Sequence, residues 1–110
     1  MSLALCFNCG NVKVGALCEC DKCGIESTGN VDLDILFSNW KFSEDVLSKF
    51  GNVVVQIQQN TNDKSIAFWT FLKFISNEYP EILSIDVDEE ILNEVEQLLE
   101  QLQIKRFEIA

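Results

Sequence analysis

Five cysteines are the residues of this chain with the clearest chemical potential. They all lie between residues 6 and 23, within the stretch CFNCGNVKVGALCECDKC, and the chain contains no histidine. Two Cys-x-x-Cys pairs are each followed by glycine, and these residues are Cys6, Cys9 and Gly10, then Cys20, Cys23 and Gly24. Cys18 belongs to neither pair. Thiols at such spacings form disulfides, act as a redox dithiol or bind a metal ion.

The arrangement of the cysteines favours metal binding. An odd number of cysteines and the lack of a signal-peptide pattern oppose a disulfide framework. A redox couple needs only one Cys-x-x-Cys, and a glycine after each pair suits a turn better than the helix start of a thioredoxin-like motif. A two-residue spacer directs both sulfurs of a turn toward one centre, where backbone N–H groups can stabilise the thiolates. The spacing therefore predicts a tetrahedral thiolate site.

The segments CFNCG and CDKCG resemble the paired knuckles of zinc ribbons and of short rubredoxin-like modules, in which C-x-x-C-G occurs twice. The resemblance covers about residues 5–27, and the rest of the chain resembles no family. It implies that the metal ligands are Cys6, Cys9, Cys20 and Cys23. Cys18 has no place in this pattern, so it is either an alternative ligand replacing Cys20 or a free thiol. Asp21 stands where proline is frequent in such knuckles.

Four thiolates select zinc or iron, and closed four-cysteine zinc sites are structural. A segment of ~30 residues cannot bury a core sufficient to fold alone, so bound metal commonly supplies the free energy. We therefore predict a structural zinc ion, with iron as the alternative. Between the knuckles, Val12, Val14 and Ala16 alternate with polar residues or glycine, which predicts a short hairpin.

The charge of the chain bears on its partners. Eight basic and 18 acidic residues give a formal net charge of −10. This charge disfavours nucleic acid and anionic membrane surfaces, because both repel a polyanion. From Glu78 to Glu100 there are nine acidic residues and no basic one. This segment is either a solvated helix face or a functional surface. A functional surface would dock a basic protein or mimic the charge of nucleic acid.

Several functions lack the residues they require. Without histidine the chain has no Ser–His–Asp or Cys–His catalytic set, and it has no glycine-rich phosphate loop, so we predict no enzyme. No apolar run reaches the ~20 residues of a membrane span. The apolar start, Met1 to Leu5, is interrupted at Cys6 before a signal sequence could form. We expect a soluble cytoplasmic protein.

Turn residues at 27–30 predict a boundary between a metal-binding module, residues 1–30, and a mainly helical domain, residues 31–110, which can pack together as one unit. Alternation from Val31 to Phe37 predicts a half-buried strand. On such a strand Asp32 and Asp34 share one face, either as solvated side chains or as a cation-binding or catalytic pair. A second short extended segment is predicted after Pro80.

Apolar periodicity predicts three helices. The first begins after Ser43 and runs to about Gln59, the second is capped by Asn62 or Asp63 and ends near Tyr79, and the third follows Asp88. Apolar residues surround most of the second helix, which places it in the core or gives it an aromatic face for a partner. The third helix, Glu89–Leu102, faces the core or pairs in a homodimer. Phe107 and Ile109 alternate in the tail, which predicts a terminal strand.

The predicted fold class is α+β: an N-terminal four-cysteine, zinc-ribbon-like hairpin, one or two short strands and a three-helix, mainly α core. The predicted function is that of a metal-binding protein with a structural zinc ion, serving as a protein–protein interaction or adaptor module. A rubredoxin-like one-iron electron-transfer protein is the alternative. A nucleic-acid-binding zinc ribbon is the third hypothesis, although only Lys13 and Lys22 supply positive charge near the knuckles.

Overall fold

The computed structural model describes residues 3–15, 18–26 and 31–104. Its elements are β1 (Leu3–Leu5), β2 (Val12–Val14), α1 (Val31–Leu36), α2 (Glu44–Gln58), α3 (Lys64–Glu78) and α4 (Glu89–Leu102). The predicted α+β class is confirmed, although the described residues form four helices rather than three. The chain falls into two compact units, the first ending at Val55 and the second beginning at Gln56. The division into residues 1–30 and 31–110 stays a prediction.

The strands β1 and β2 form an antiparallel hairpin whose turn is the first knuckle. Leu3 pairs with Val14, and Leu5 pairs with Val12. The sequence correctly indicated a strand at Val12 and Val14, but its partner precedes the first knuckle instead of lying between the two knuckles. β1 supplies that partner because Ala4 and Leu5 are buried, so pairing brings two apolar side chains into the core.

The strand predicted over residues 31–37 is wrong, because residues 31–36 form the helix α1. The alternating pattern also places Leu33 and Phe37 four residues apart, which is helical spacing, and both side chains are buried. Extended structure begins only at the end of the predicted strand. Ser38 forms a bridge to Ala4, and the backbone N–H of Leu5 donates to the carbonyl of Phe37 at 2.8 Å.

Helical geometry also separates the two carboxylates that a strand would have placed on one face. Residues two apart on a helix differ in direction by about 200°. Asp32 is exposed, whereas Asp34 is 3% exposed. The predictions of a shared solvated face and of a carboxylate pair are therefore both wrong.

The helix α2 matches its prediction closely. The Ser43 hydroxyl accepts a hydrogen bond from the backbone N–H of Val46 at 3.3 Å, as an N-cap does. The six apolar residues that define its predicted stripe are all buried: Val46, Leu47, Phe50, Val53, Val54 and Ile57. In the first unit this stripe meets an aromatic cluster, in which Phe37 contacts Phe7, Phe42 and Phe50 with ring centroids 5.4, 6.0 and 5.6 Å apart.

The second unit is built from α3 and α4. The Asp63 carboxylate caps α3 by accepting from the N–H groups of Ser65 and Ile66, at 2.9 and 3.1 Å. The helix has seven buried residues, namely Ile66, Ala67, Thr70, Phe71, Leu72, Phe74 and Ile75, which places it in the core as predicted. α4 begins at its predicted cap, Asp88, and packs against α3 with Val95 and Leu98 buried.

Two predicted extended segments have different outcomes. Residues 80–82 form a turn and residues 83–88 have no regular structure, so the segment predicted after Pro80 is not a strand. Tyr79 is fully buried, and its carbonyl accepts from the N–H of Ile82 at 2.9 Å, which folds the chain back at this point. The predicted terminal strand at Phe107 and Ile109 lies outside the described residues. Within the part of the chain that the structure describes, no helix has the length and apolar content needed to cross a bilayer.

Candidate metal centre

The two Cys-x-x-Cys-Gly segments fold into turns with the same backbone hydrogen bonds. In the first knuckle the N–H of Cys6 donates to the carbonyl of Asn11 at 2.8 Å, and the N–H of Gly10 donates to the carbonyl of Cys6 at 2.9 Å. In the second knuckle the corresponding bonds run from Cys20 to Ile25 and from Gly24 to Cys20, both at 2.9 Å. The repeated sequence pattern therefore produces a repeated local structure.

Each knuckle depends on its glycine for the turn. Gly10 has a φ of +80° and Gly24 a φ of +76°, in the left-handed region that glycine adopts without steric cost. This conformation reverses the chain directly after the second cysteine of each pair. Both sulfurs of a pair can then face the same side of the turn.

The four cysteines implied as ligands are brought together. The sulfurs of Cys6, Cys9, Cys20 and Cys23 all lie within 4.8 Å of one another. The Cys6–Cys23 and Cys9–Cys20 distances are both 3.6 Å, and each joins one knuckle to the other. Four sulfurs placed about 2.3 Å from a central zinc ion would be ~3.8 Å apart. The cluster therefore has the donor type and the size to hold one metal ion.

Exposure differs among the four thiols. Cys6 and Cys20, the first cysteine of each pair, are both 3% exposed. Cys9 is half-buried, and Cys23 is exposed. The residues of the cluster are therefore most exposed at Cys23 and least exposed at Cys6 and Cys20.

Backbone N–H groups are directed at the sulfurs in the same way in both knuckles. The sulfur of Cys6 accepts from the N–H groups of Asn8 and Cys9. The sulfur of Cys20 accepts from those of Lys22 and Cys23, the first at 3.4 Å. These donors stabilise negative charge on the sulfurs, as ligand thiolates require.

Among the described residues, side-chain amides donate to the sulfurs of the second knuckle and not to those of the first. The Asn8 Nδ2 donates to the sulfur of Cys23 at 3.5 Å, and the Asn11 Nδ2 donates to the sulfur of Cys20 at 3.7 Å. Both asparagines belong to the first knuckle, so each bond crosses from one turn to the other. The Asn11 Nδ2 also donates to the Asp21 carboxylate at 3.3 Å.

Burial and hydrogen-bond donation together divide the thiols into two classes by the direction in which the pKa shifts. Burial raises the pKa of Cys6, and it raises that of Cys9 to about 12. At Cys20 burial acts in the same direction, but the donors from Cys23, Lys22 and Asn11 outweigh it and lower the pKa to about 6. At Cys23 the Asn8 amide and the Ile25 N–H likewise outweigh burial and lower the pKa. The second knuckle is therefore the better thiolate donor at neutral pH.

The fifth cysteine lies outside the four-sulfur cluster. Cys18 is exposed, and its sulfur is close to Gly15, where a Cβ would lie 2.8 Å from it. Its backbone carbonyl accepts a hydrogen bond from the Lys13 Nζ at 2.9 Å. Lys13 is only 3% exposed, so its ammonium group ties β2 to the chain just before the second knuckle.

The first knuckle also packs closely on α2. An ideal Cβ on Gly51 would overlap the carbonyl oxygen of Gly10, and a Cβ on Gly10 would overlap that of Gly51. A polar cleft beside this contact is lined by Cys9, Lys22, Glu44, Ser48 and Asn52 among others. The turn that carries Cys6 and Cys9 is thus positioned by a helix distant in sequence.

Comparison of the chain with protein-family models, with curated proteins and with solved structures found no significant match. The candidate site is therefore defined by its own geometry.

Sequence reasoning missed three residues around the cluster. Asn8 and Asn11 were given no role, although an amide side chain beside a cysteine turn is a ready N–H donor for a thiolate. Lys13 was counted as a positive charge near the knuckles, whereas its ammonium group is buried on the Cys18 carbonyl. A lysine between two valines in a predicted strand indicates an outward-facing position, so no local pattern in the sequence indicated its burial.

Proposed function

We propose that the chain binds one structural zinc ion through Cys6, Cys9, Cys20 and Cys23, and that it serves as a protein–protein interaction or adaptor module. The observation that carries the metal site is the convergence of four sulfurs from two knuckles within 4.8 Å. Four thiolates complete a tetrahedral zinc site and leave no coordination position for a substrate. A closed site of this kind stabilises structure.

Exposure of one sulfur favours zinc over iron. Cys23 is an exposed residue, so we expect solvent to approach the metal at that corner. Zinc has no redox chemistry and tolerates this exposure, whereas solvent contact alters the reduction potential of an iron–thiolate centre. The zinc ion would link residues 6–9 to residues 20–23 and so stabilise the hairpin and the segment that follows it.

An exposed tryptophan supports the interaction role. Trp40 is 76% exposed. Its backbone N–H donates to the Ser38 hydroxyl at 3.3 Å, and the N–H of Lys41 donates to the Ser38 carbonyl at 3.1 Å. Ser38 itself is buried, so the turn that presents the indole is fixed to the core. Rigidly presented tryptophans are frequent anchors of protein interfaces.

The acidic surface of α4 supports a basic partner. Five acidic side chains on this helix are exposed, namely Glu89, Glu90, Glu94, Glu96 and Glu100. With a formal net charge of −10, the chain attracts positively charged surfaces and repels nucleic acid. Lys13 is buried, so it does not contribute to a phosphate-binding surface near the knuckles. This weakens the nucleic-acid hypothesis.

One observation keeps one-iron electron transfer as the second candidate. Phe7, which follows the first ligand cysteine, contacts Phe37 edge to face with ring centroids 5.4 Å apart. The aromatic cluster therefore includes the residue next to Cys6, and aromatic cover is what an iron–thiolate site requires. The colour of the purified protein separates the two functions, because four-thiolate zinc is colourless.

Metal content per chain, measured with a visible spectrum on protein expressed at a low level without added metal, tests the proposal. One zinc ion per chain and no colour are expected. Iron with thiolate charge-transfer bands would instead support one-iron electron transfer. A folded chain without metal would contradict both functions.

The oligomeric state and the compartment stay predictions. The homodimer would form through Glu89–Leu102, where Ile91, Leu92, Leu99 and Leu102 are half-buried within the chain. Sedimentation equilibrium over a range of salt concentrations tests it, since salt screens repulsion between acidic helices. A monomer at every salt concentration would contradict the predicted homodimer.

A further inference from the structure

Donor side chains around the four thiols are distributed unevenly. The backbone of each knuckle supplies the same N–H groups to its own sulfurs, so the backbone alone would make the two halves equivalent. Two carboxamides break this equivalence. Asn8 and Asn11 both lie in the first knuckle, and both donate to sulfurs of the second.

The sequence explains why donation runs in one direction. The second of the two residues between the cysteines is Asn8 in the first knuckle and Lys22 in the second. The position after the glycine is Asn11 in the first knuckle and Ile25 in the second. Lys22 and Ile25 are both exposed, and Ile25 has no side-chain donor. The second knuckle therefore offers no equivalent carboxamide.

We propose that Asn8 and Asn11 are positioning residues of the metal centre, which hold the second-knuckle thiolates in place and slow the loss of the metal ion. This inference rests on the proposed zinc site. An N–H donor withdraws charge from a ligand sulfur and fixes its orientation, and removal of such partners typically reduces metal affinity about 10–100-fold.

Asn8 has the larger kinetic effect of the two. Its acceptor is the sulfur of Cys23, the exposed residue among the four, and we expect a competing chelator or a proton to reach the site there first. Asn8 is a half-buried residue, and its amide lies 3.5 Å from this sulfur, on the exposed side of the site. Asn11 divides its Nδ2 between the sulfur of Cys20 and the Asp21 carboxylate, and Cys20 is itself buried.

The test compares the rates at which zinc-loaded variants transfer metal to a chromogenic chelator. Asn8→Ala and Asn11→Ala remove the donors, and we expect about tenfold faster transfer for Asn8→Ala with a smaller increase for Asn11→Ala. Asn8→Asp keeps the shape but places a carboxylate beside the thiolate, so its transfer should be faster still. Asn52→Ala is the matched control, because Asn52 lines the cleft beside Cys9 and donates to no sulfur among the described residues.

Three results would overturn the inference. Asn8→Ala and Asn8→Asp could transfer zinc at the wild-type rate. Asn8→Asp could behave as wild type while Asn8→Ala is fast, which would show a packing role in place of hydrogen-bond donation. The wild-type chain could bind no metal, which would also refute the proposed function. Wild-type zinc binding with unchanged variants refutes this inference alone.

A measurement on the wild-type chain does not depend on whether the variants fold. In protein loaded with ¹¹³Cd, we expect scalar coupling between the metal nucleus and the side-chain amide protons of Asn8 and Asn11, transmitted through the sulfur. Backbone N–H groups directed at the sulfurs, such as that of Lys22, provide the internal reference. Coupling to backbone protons without coupling to either carboxamide would overturn the proposal.

Discussion

Gly10 of the first knuckle and Gly51 of α2 meet backbone to backbone, so that a Cβ on either residue would overlap the carbonyl oxygen of the other. Glycine inside a helix costs about 1 kcal/mol relative to alanine. Glycine is nevertheless needed at position 51, because any side chain there would overlap the carbonyl oxygen of Gly10. The knuckle that carries Cys6 and Cys9 thereby rests directly on the helix backbone.

Replacement of Gly51 by alanine should destabilise the protein although it raises helix propensity. The added Cβ forces the knuckle and the helix apart, and overpacking of this kind costs about 1–3 kcal/mol. Urea unfolding of the zinc-loaded protein measures the change. Ser48→Ala, at an exposed position one turn earlier on α2, controls for helix propensity alone. A more stable Gly51→Ala variant would show that the contact does not constrain the fold.

Gly24→Ala provides a second comparison for this contact. Gly10 and Gly24 share a positive φ, but a Cβ on Gly24 would meet nothing within 4 Å. Gly24→Ala therefore measures backbone strain alone, about 1–2 kcal/mol. Gly10→Ala should lower the free energy of unfolding more than Gly24→Ala does, and the difference should match the loss in Gly51→Ala. Equal losses for Gly10→Ala and Gly24→Ala would contradict this explanation.

Substitution of single cysteines should separate the four clustered thiols from the fifth. Cys23→Ser removes a ligand and leaves three thiolates, so we expect at least a hundredfold weaker metal binding. Cys18→Ser should bind metal as wild type, because the Cys18 thiol lies outside the cluster. Titration with Co²⁺, followed through its thiolate charge-transfer bands, measures both. Loss of the charge-transfer bands in Cys18→Ser would show that Cys18 is a metal ligand.

Removal of the metal should affect the N-terminal segment most. The described residues of this segment, 3–15 and 18–26, form two three-residue strands and two turns, so their stability depends on the link between the knuckles. Amide hydrogen exchange after chelation should show loss of protection in this segment, whereas α3 keeps its protection through its buried apolar residues. Equal protection with and without metal would mean that the segment is stable without it.

Metal affinity should rise with pH. Cys9, whose pKa is raised to about 12, is protonated at neutral pH and must lose its proton to bind metal, as must Cys6, whose pKa is also raised. Cys20, with a pKa of about 6, is already ionised. Each proton released increases the apparent affinity about tenfold per pH unit. Competition with a chelator from pH 6.5 to 8.5 measures the slope, which should correspond to more than one proton and fewer than four.

Much of this protein could be predicted where a local pattern has one physical solution. The caps at Ser43 and Asp88 were identified correctly, and Asp63 is one of the two caps predicted for α3, since these side chains satisfy N–H groups of the next turn. The strand predicted at Val31–Phe37 was wrong because its alternation also satisfies helical spacing at Leu33 and Phe37. The tertiary structure decides between strand and helix. The edge of β1 that does not pair with β2 bridges Ser38 and not residues 31–36.

The sequence by itself determined the two knuckles, because spacing and the following glycine are local properties of the backbone. It also determined the apolar stripe of α2, which is a matter of helical period. Tertiary structure alone decided which sulfurs of the two knuckles lie closest, why a glycine, Gly51, lies inside α2, and that Asn8 and Asn11 donate across the site. These relationships join residues 9 to 41 positions apart in the chain, and no local pattern encodes distances between them.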